Sequence, residues 1–495
     1  MKYAKRLLIF LYNHLEYVFV AVLFIGVFYL AFNHGSFAMP YASLEDDPNY
    51  YANKIFDQSY VHKIELSIPE RDLSSLRASP AEKTRYLADV IIDGESFKNV
   101  AFSTRGNASL TALADNENSE RYSYKVNFGK FSEHSSYHGL DKLILNNLNS
   151  DPSYLKDYLA FEIMRNAGVA SPLTSFTELY INGELQGLYQ AIEDVDESFL
   201  ARNRFSPDAV LYKPEATAIN NFAMMRLREQ LPEGVEPDIV TFADMPGFDF
   251  GGSDLVYHGD DPAEYHAIFE NAVSKISHHD EEYLISSLRA LEPAEMLEPT
   301  DYWDVDALAK YFAANNLLSN FDSYTGITSH NYYLIASPKS NTLLPWDYNL
   351  GFAGLWLDPG IDYDEGVINW PIDSPIATNQ IETRPAWRLI VENPDYLEKY
   401  HQSIQNLISN YLLNGECIGE ITKTAELIRS YVYSDPSRFY SIEEFEDGVE
   451  ILRNFILVRA DSAQKQLWGL IPSTHEEAKS GDFESIHLDT PLIDE

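Results

Sequence analysis

Two aspartates and one amide frame the chemistry open to this chain: Asp322, Asn331 and Asp347, within the stretch from Leu308 to Phe352. A helical pattern runs into Asn320-Phe321-Asp322. A polar loop follows, and His330-Asn331-Tyr332-Tyr333-Leu334-Ile335 reads as a strand. A turn at Pro338 to Asn341 leads to Leu343-Leu344-Pro345-Trp346-Asp347. One carboxylate thus ends a helix, a second ends a hairpin strand, and an amide lies between them. Phosphoryl transfer needs such parts. One Asp orients the attacking hydroxyl and takes its proton. Another, helped by an Asn, holds the metal that neutralises the phosphates. A single Asp at a helix end is more often a cap or a solvated loop residue. A carboxylate directly behind an apolar strand is costly without a metal or a cation, and the combination favours function.

Val305 to Leu318 is the helix that must deliver Asp322. Upstream, Val61 to Ile68 and Ser123 to Phe128 alternate like strands, and Leu87 to Ile92 is a strand ending in an Asp93-Gly94 turn. Asn182-Gly183 joins two strands within Leu179 to Asp196, a strong hairpin signal. Pro152 to Ala167 reads as a helix, with Asp151 as N-cap, Pro152 at N1 and Gly168 just past its end. Pro214 to Asp254 is rich in Pro, Gly and polar residues and reads as an excursion. From Asp261 the pattern turns helical. His278-His279-Asp280 fits a solvated helix N-terminus better than a metal cluster. Arg384 to Leu412, Ile418 to Tyr433 and Ile442 to Leu470 are amphipathic helices. The expected fold class is α+β in two lobes, β-rich then mainly helical, with the cleft between them as the ligand site.

These motifs resemble the CotH-type protein kinases, atypical kinases related to a spore-coat protein. NFDSYT, HNYYL and PWDYNLGF match the family's catalytic and metal-binding segment. Arg105-Gly106-Asn107-Ala108-Ser109 matches its RGNSS-like motif, and Ser123 to Phe128 its SYKxxF strand. The stretches 145–172 and 179–196 match its long helix and its hinge-like segment, so the likeness covers roughly Ile55 to Leu470. The resemblance implies ATP and Mg²⁺ or Mn²⁺ as cofactors. It implies Asp322 as catalytic, and Asp347 with Asn331 as metal ligands. Arg105 and Lys125 would contact phosphates, and Gly106-Asn107 would let the backbone approach them. A helix acid would hold Lys125, Asp157 rather than Glu162. Glu193 would lie near the adenine. Where the family often has a second Asp, this chain has Asn349, which weakens the charge offered to a metal. No G-x-G-x-x-G loop and no HRD or DFG triplet is read beside these motifs, so an ordinary protein kinase is not expected.

The 495 residues suffice for two lobes with a sizeable core. Apolar content of 45% and charged content of 23% are ordinary. The net charge of −40 is not, and it argues against a nucleic-acid partner. One cysteine, Cys417, excludes an internal disulfide. Lys2, Lys5 and Arg6 precede an uncharged run from Tyr17 to Phe32, read as a membrane anchor, with a signal peptide cleaved near Ser36-Phe37-Ala38 as the alternative. Both place the later residues outside the cytoplasm. The expected organisation is 1–38 anchor, 39–54 linker, 55–472 kinase-like domain dividing near 195, and 473–495 a disordered acidic tail. The leading function is a membrane-anchored, exported kinase acting on Ser or Thr of an envelope or surface protein. Nucleotide transfer, an envelope-assembly module with a degenerate site, and a carbohydrate-active enzyme using Asp322 and Asp347 are the alternatives.

Overall fold

The computed structural model describes residues 50–480 and 486, except 115–119, 133–134, 216–249, 296, 327–328, 355–362 and 377–380. Seven strands come first: β1 (His62–Ser67), β2 (Tyr86–Ile92), β3 (Glu95–Arg105), β4 (Ser123–Asn127), β5 (Lys142–Asn146), β6 (Thr174–Ile181) and β7 (Glu184–Glu193). They form a closed barrel in the order β1-β2-β3-β4-β5-β7-β6. The closing pair, β1 with β6, is parallel. Two tight hairpins use left-handed residue pairs, Asp93-Gly94 (φ 48° and 88°) and Asn182-Gly183 (φ 51° and 85°). Such turns match the twist of the strands they join.

Strand alternation sets which side chains fill the barrel. Tyr124 and Val126 of β4 point inward with Ile64, Val90, Phe102, Leu143 and Leu145. Residues of the opposite parity, Ile144 and Ile192, belong to a second core that runs through the rest of the molecule. Lys125 therefore lies on the outer barrel face, turned toward that second part.

The second part is mainly helical. It contains α3 (Lys156–Asn166), α4 (Glu197–Arg202), α5 (His278–Arg289), α6 (Val305–Leu317), α7 (Pro385–Val391), α8 (Pro394–Leu407), α9 (Glu416–Ser434) and α10 (Ile442–Leu467). Helices α1 (Glu70–Ala78) and α2 (Ala108–Ala114) accompany the barrel. A small antiparallel sheet of β8 (Val210–Tyr212), β9 (Tyr332–Ala336) and β10 (Thr342–Pro345) lies beside α6, in the order β10-β9-β8. Helix α6 is buried almost all round, from Leu308 to Leu317, and Asp304 caps it by accepting from the Ala307 amide at 2.9 Å. A helix apolar on every side belongs at the centre of a structure.

Several expectations need correction. Helix α3 begins at Lys156, because residues 152–155 form a turn with Tyr154 at φ 60°. Asp151 still serves the helix start by accepting from the Lys156 amide at 2.8 Å. The expected linker is partly folded: Tyr50–Asn53 form a helical turn, and Tyr51 is buried with its hydroxyl on Glu193. The expected disordered tail begins with a helical turn, His475–Ser480, and His475 packs edge-on to Trp370. The single helix expected from Arg384 is broken by the Asn393-Pro394 cap into α7 and α8. Asp280 completes a capping box with Ser277, as a helix N-terminus requires. Among the described residues, no helix is long and apolar enough to cross a membrane; the proposed anchor at Tyr17 to Phe32 lies outside them.

A buried ion pair fastens the barrel to α9. Arg121 donates to Asp435 at 2.6 Å, and both side chains are nearly inaccessible. The guanidinium lies 5.1 Å from the Tyr189 ring and 5.2 Å from the Phe439 ring. Asp435 also accepts from the Leu188 amide at 2.9 Å. Gly187, at φ 114°, makes room, since a Cβ there would overlap the Asp435 carboxylate. Arg121→Leu is expected to cost about 3–5 kcal/mol in urea unfolding, since it strands a buried carboxylate. Cys417 is fully buried, and burial first, then the Glu420 charge, pushes its thiol up to about 12. Ellman's reagent should leave the native protein unlabelled and titrate one thiol after unfolding.

Candidate active site

The end of α6 brings the two aspartate loops together. The Phe352 amide donates to Leu318 O at 2.8 Å, which stitches the loop after Asp347 to the helix end just before Asp322. Asn315 on α6 bridges both loops. Its amide donates to Ser323 Oγ at 3.0 Å and Thr325 Oγ1 at 3.1 Å, and its oxygen accepts from Tyr348 Oη at 2.8 Å. Asp322 is buried, and its Oδ2 accepts from Asn331 Nδ2 at 2.8 Å. Asn331 and Asp347 both hold left-handed backbone, φ 53° and 54°. Such backbone costs an aspartate on the order of 1–2 kcal/mol and persists where its surroundings enforce it.

Asp157 on α3 supplies that enforcement. Its Oδ1 accepts from the Tyr348 amide at 2.6 Å, and its Oδ2 from Asn146 Nδ2 at 3.2 Å. Burial first, and then the charge of Asp347, pushes its carboxyl up to about 7. No described cation lies within ion-pair distance of Asp157 or Asp347. Asp157 and Asp347 are near enough to feel each other's charge, with Arg105 also acting on Asp157, and both offer hard oxygens of the kind Mg²⁺ or Mn²⁺ takes. The Asn331 amide oxygen and Asp322 lie in the same set of loops. The residues present therefore fit a divalent ion.

The Lys125 partner differs from the one expected. Lys125 pairs with Asp194 at 2.7 Å, not with Asp157 or Glu162. Glu162 instead binds Arg165 and Gln58. The reason is strand parity. Lys125 stands opposite Ile144, and Ile144 opposite Ile192, so all three share the outer barrel face. Two residues past Ile192 lies Asp194, on that same face. Glu193 takes the other one, where Arg202 (2.6 Å), Tyr51 (2.5 Å) and the Leu173 amide (3.0 Å) occupy its carboxylate. Its side chain is thus turned away from the cluster instead of serving a ligand. Asp196 pairs with Lys142 at 3.0 Å and caps α4 through the Ser198 amide. This role accounts for its place beside Asp141 and Glu197 in the acidic trio with metal-ligand spacing among the described residues.

Arg105, at the end of β3, lies over the Trp346 ring at 4.9 Å, beside Asp347. Gly106 follows at φ 120°. Lys83, Arg105, Lys125 and Lys213 are near enough that the other three depress the Lys83 ammonium, after burial as the main cause. Lys83, Lys213, Glu215, Asn146, Asn315, Asp194 and Trp346 were not singled out in the sequence. For Asp194 the period-two pattern was a sufficient signal; for Lys83 and Lys213 there was none. The chain also contains an Asp249-Phe250-Gly251 triplet that the motif reading passed over. Phe250 lies 5.5 Å from Arg384, and Gly251 O accepts from the Ala267 amide, while Asp249 lies outside the described residues.

Residues 102–463 match the family described as CotH kinase protein. The chain is 23% identical to the inner spore coat protein H of Bacillus subtilis (strain 168) over 360 residues, 70% of this chain and 86% of that protein. A crystal structure of the Helicobacter pylori proinflammatory kinase CtkA aligns with 70% of this chain and 94% of its own at 13% identity, with a TM-score of 0.26, too low to argue a shared arrangement.

Asp157 should be visible in the pH dependence of stability. An acid whose pKa is higher folded (about 7) than unfolded (near 3.8) binds more protons when folded, so its contribution is favourable at low pH and is lost as pH rises through 7. Urea midpoints of the wild type should fall across that range relative to Asp157→Asn. Asp347→Asn, which removes the neighbouring charge, should shrink the fall.

Proposed function

The chain belongs to the CotH kinase family, and from that premise we propose that it transfers the γ-phosphate of ATP to Ser or Thr hydroxyls of a protein. The observation that carries this reading is the group of Lys83, Arg105, Lys125 and Lys213 beside the Asp347 loop, in a chain of net charge −40. Four converging cations in so acidic a protein suit a polyphosphate. In this reading the barrel and the helical part act as the two lobes of a kinase-like fold.

Asp322 is the catalytic group, which orients the acceptor hydroxyl and receives its proton. Asn331 fixes the Asp322 carboxylate through its amide. Asp347 and Asn331 hold the metal, with Asp157 close enough to share its charge. The metal, when bound, neutralises the phosphate oxygens. Arg105 and Lys125 hold the phosphates, Lys125 steadied by Asp194. Asp157 is a positioning residue, because it acts on Asp347 through the Tyr348 amide. We also read Tyr17 to Phe32 as an anchor that puts this site on the outer side of a cell membrane, near a surface-protein substrate.

The purified chain should label a basic protein from γ-labelled ATP with Mg²⁺ or Mn²⁺. Asp322→Asn should lower the rate about 10²–10⁴-fold, and Asp347→Ala should bring it to background. Label from α-labelled ATP would refute phosphoryl transfer in favour of nucleotide transfer. Asp157→Asn should raise the Mg²⁺ concentration needed for half-maximal rate more than it lowers the rate at saturating metal. Recovery of the full chain in the soluble fraction of its cells would refute the anchor.

A further inference from the structure

Glu215 lies a few residues beyond β8, and its carboxylate is held from two directions. Lys213 Nζ donates to Oε1, and Asn107 Nδ2 donates to Oε2 at 3.2 Å. Asn107 Oδ1 in turn accepts from Lys83 Nζ at 2.6 Å. A polar chain of Lys83, Asn107, Glu215 and Lys213 therefore connects the barrel with the β8 segment. Arg105, two residues before Asn107, is fixed on Trp346 at 4.9 Å. The short loop after β3 is thus tied to the second part of the molecule at both ends.

Glu215 is half-buried. Burial opposes its charge, but Lys213, His330 and Lys83 outweigh that and hold its carboxyl below the usual range. It is therefore an anion lodged among cations. Lys125 and Lys142 have acids of their own, Asp194 and Asp196. Lys213 and Lys83 are served by Glu215 and its amide neighbour alone among the contacts described. A phosphate chain entering this group meets a charge of its own sign already bound there.

We propose that Glu215 is an internal competitor for polyphosphate: its carboxylate satisfies Lys213 and Lys83 in the absence of nucleotide and thereby sets how tightly nucleotide binds. This rests on the reading of the cation group as the ATP phosphate site. A purely structural tie between the loop and β8 would behave differently. Breaking a tie loosens the loop and weakens binding, whereas removing a competitor strengthens it.

Glu215→Gln separates the two by sign: it removes the charge, keeps one amide oxygen for Lys213 and gives up the Asn107 contact, so a mere tie predicts weaker phosphate binding and a competitor tighter binding. The full chain would be titrated calorimetrically with ATP, inorganic tripolyphosphate and adenosine in the presence of Mg²⁺. Glu215→Gln should bind ATP and tripolyphosphate about three- to ten-fold more tightly, the scale of one charge at close range in a partly solvated site. Adenosine affinity should not change, and the gain should shrink at high salt. Glu215→Ala should shift both phosphate ligands in the same direction, which covers a Gln variant that fails to fold. Unchanged or weaker phosphate binding in the folded variants, with a wild type that binds ATP and loses it in Lys125→Met, would overturn the competitor alone. A wild type that binds neither phosphate ligand, or one whose phosphate binding is unchanged in Lys125→Met, would overturn the kinase reading and the competitor together.

Discussion

The hydrogen bond from the Tyr348 amide to Asp157 joins the two halves of the site. Asp157 comes from the first helix after the barrel strands β1 to β5, and Tyr348 from the loop that presents Asp347. Both groups are buried, so neither has water to fall back on. The same carboxylate takes the Asn146 amide at the end of β5. Barrel, helix and loop therefore meet on one side chain. Asp347 keeps a left-handed backbone beside this bond, and Phe352 anchors the other end of the loop on the α6 terminus. With both ends of the loop fixed, the backbone of Asp347 is held in place beside Asp157.

Electrostatics work within the same frame. With 76 acidic and 36 basic residues, the chain has few cations to place together. Lys125 and Arg105 reach one face because they occupy outward positions on neighbouring strands, Ser103 pairing with Lys125 and Arg105 with Ser123. Repulsion within the wider cation group is offset by acids at the ends of adjoining elements, Asp194 after β7 on Lys125 and Glu215 after β8 on Lys213. The cluster can thus persist without a ligand.

Much of this was legible in the sequence, and the failures have physical causes. Tight turns announced themselves: Asp93-Gly94 and Asn182-Gly183 stand where expected, because left-handed pairs have few substitutes. Strand alternation located β1, β2, β4 and β9, and apolar periodicity located α6, α9 and α10. Barrel closure was invisible, since it depends on β1 meeting β6 and neither strand carries a mark for the other. The Lys125 partner was missed because an acid was sought on a helix, whereas the parity of β7 selects Asp194 over Glu193. Lys83 and Lys213 lie in segments without periodicity, and only the fold brings them near Arg105. The start of α3 was misjudged because Asp151-Pro152 is a good opening for a helix, yet it opens a turn that feeds one.

The closed barrel also constrains the order in which the molecule can be built. Six of its pairings are antiparallel, and β1 to β5 follow one another round the sheet, so each of those four can form soon after both strands exist. The seventh is parallel and sets His62 opposite Thr177. During synthesis β1 therefore has one open edge until the hairpin of β6 and β7 has emerged. A contact of such long range is slow to form, because loop entropy is lost before the contact repays it. The first strand of the fold is thus among the last to be secured on both sides, and Lys125, on β4, gains its Asp194 partner only when β7 arrives.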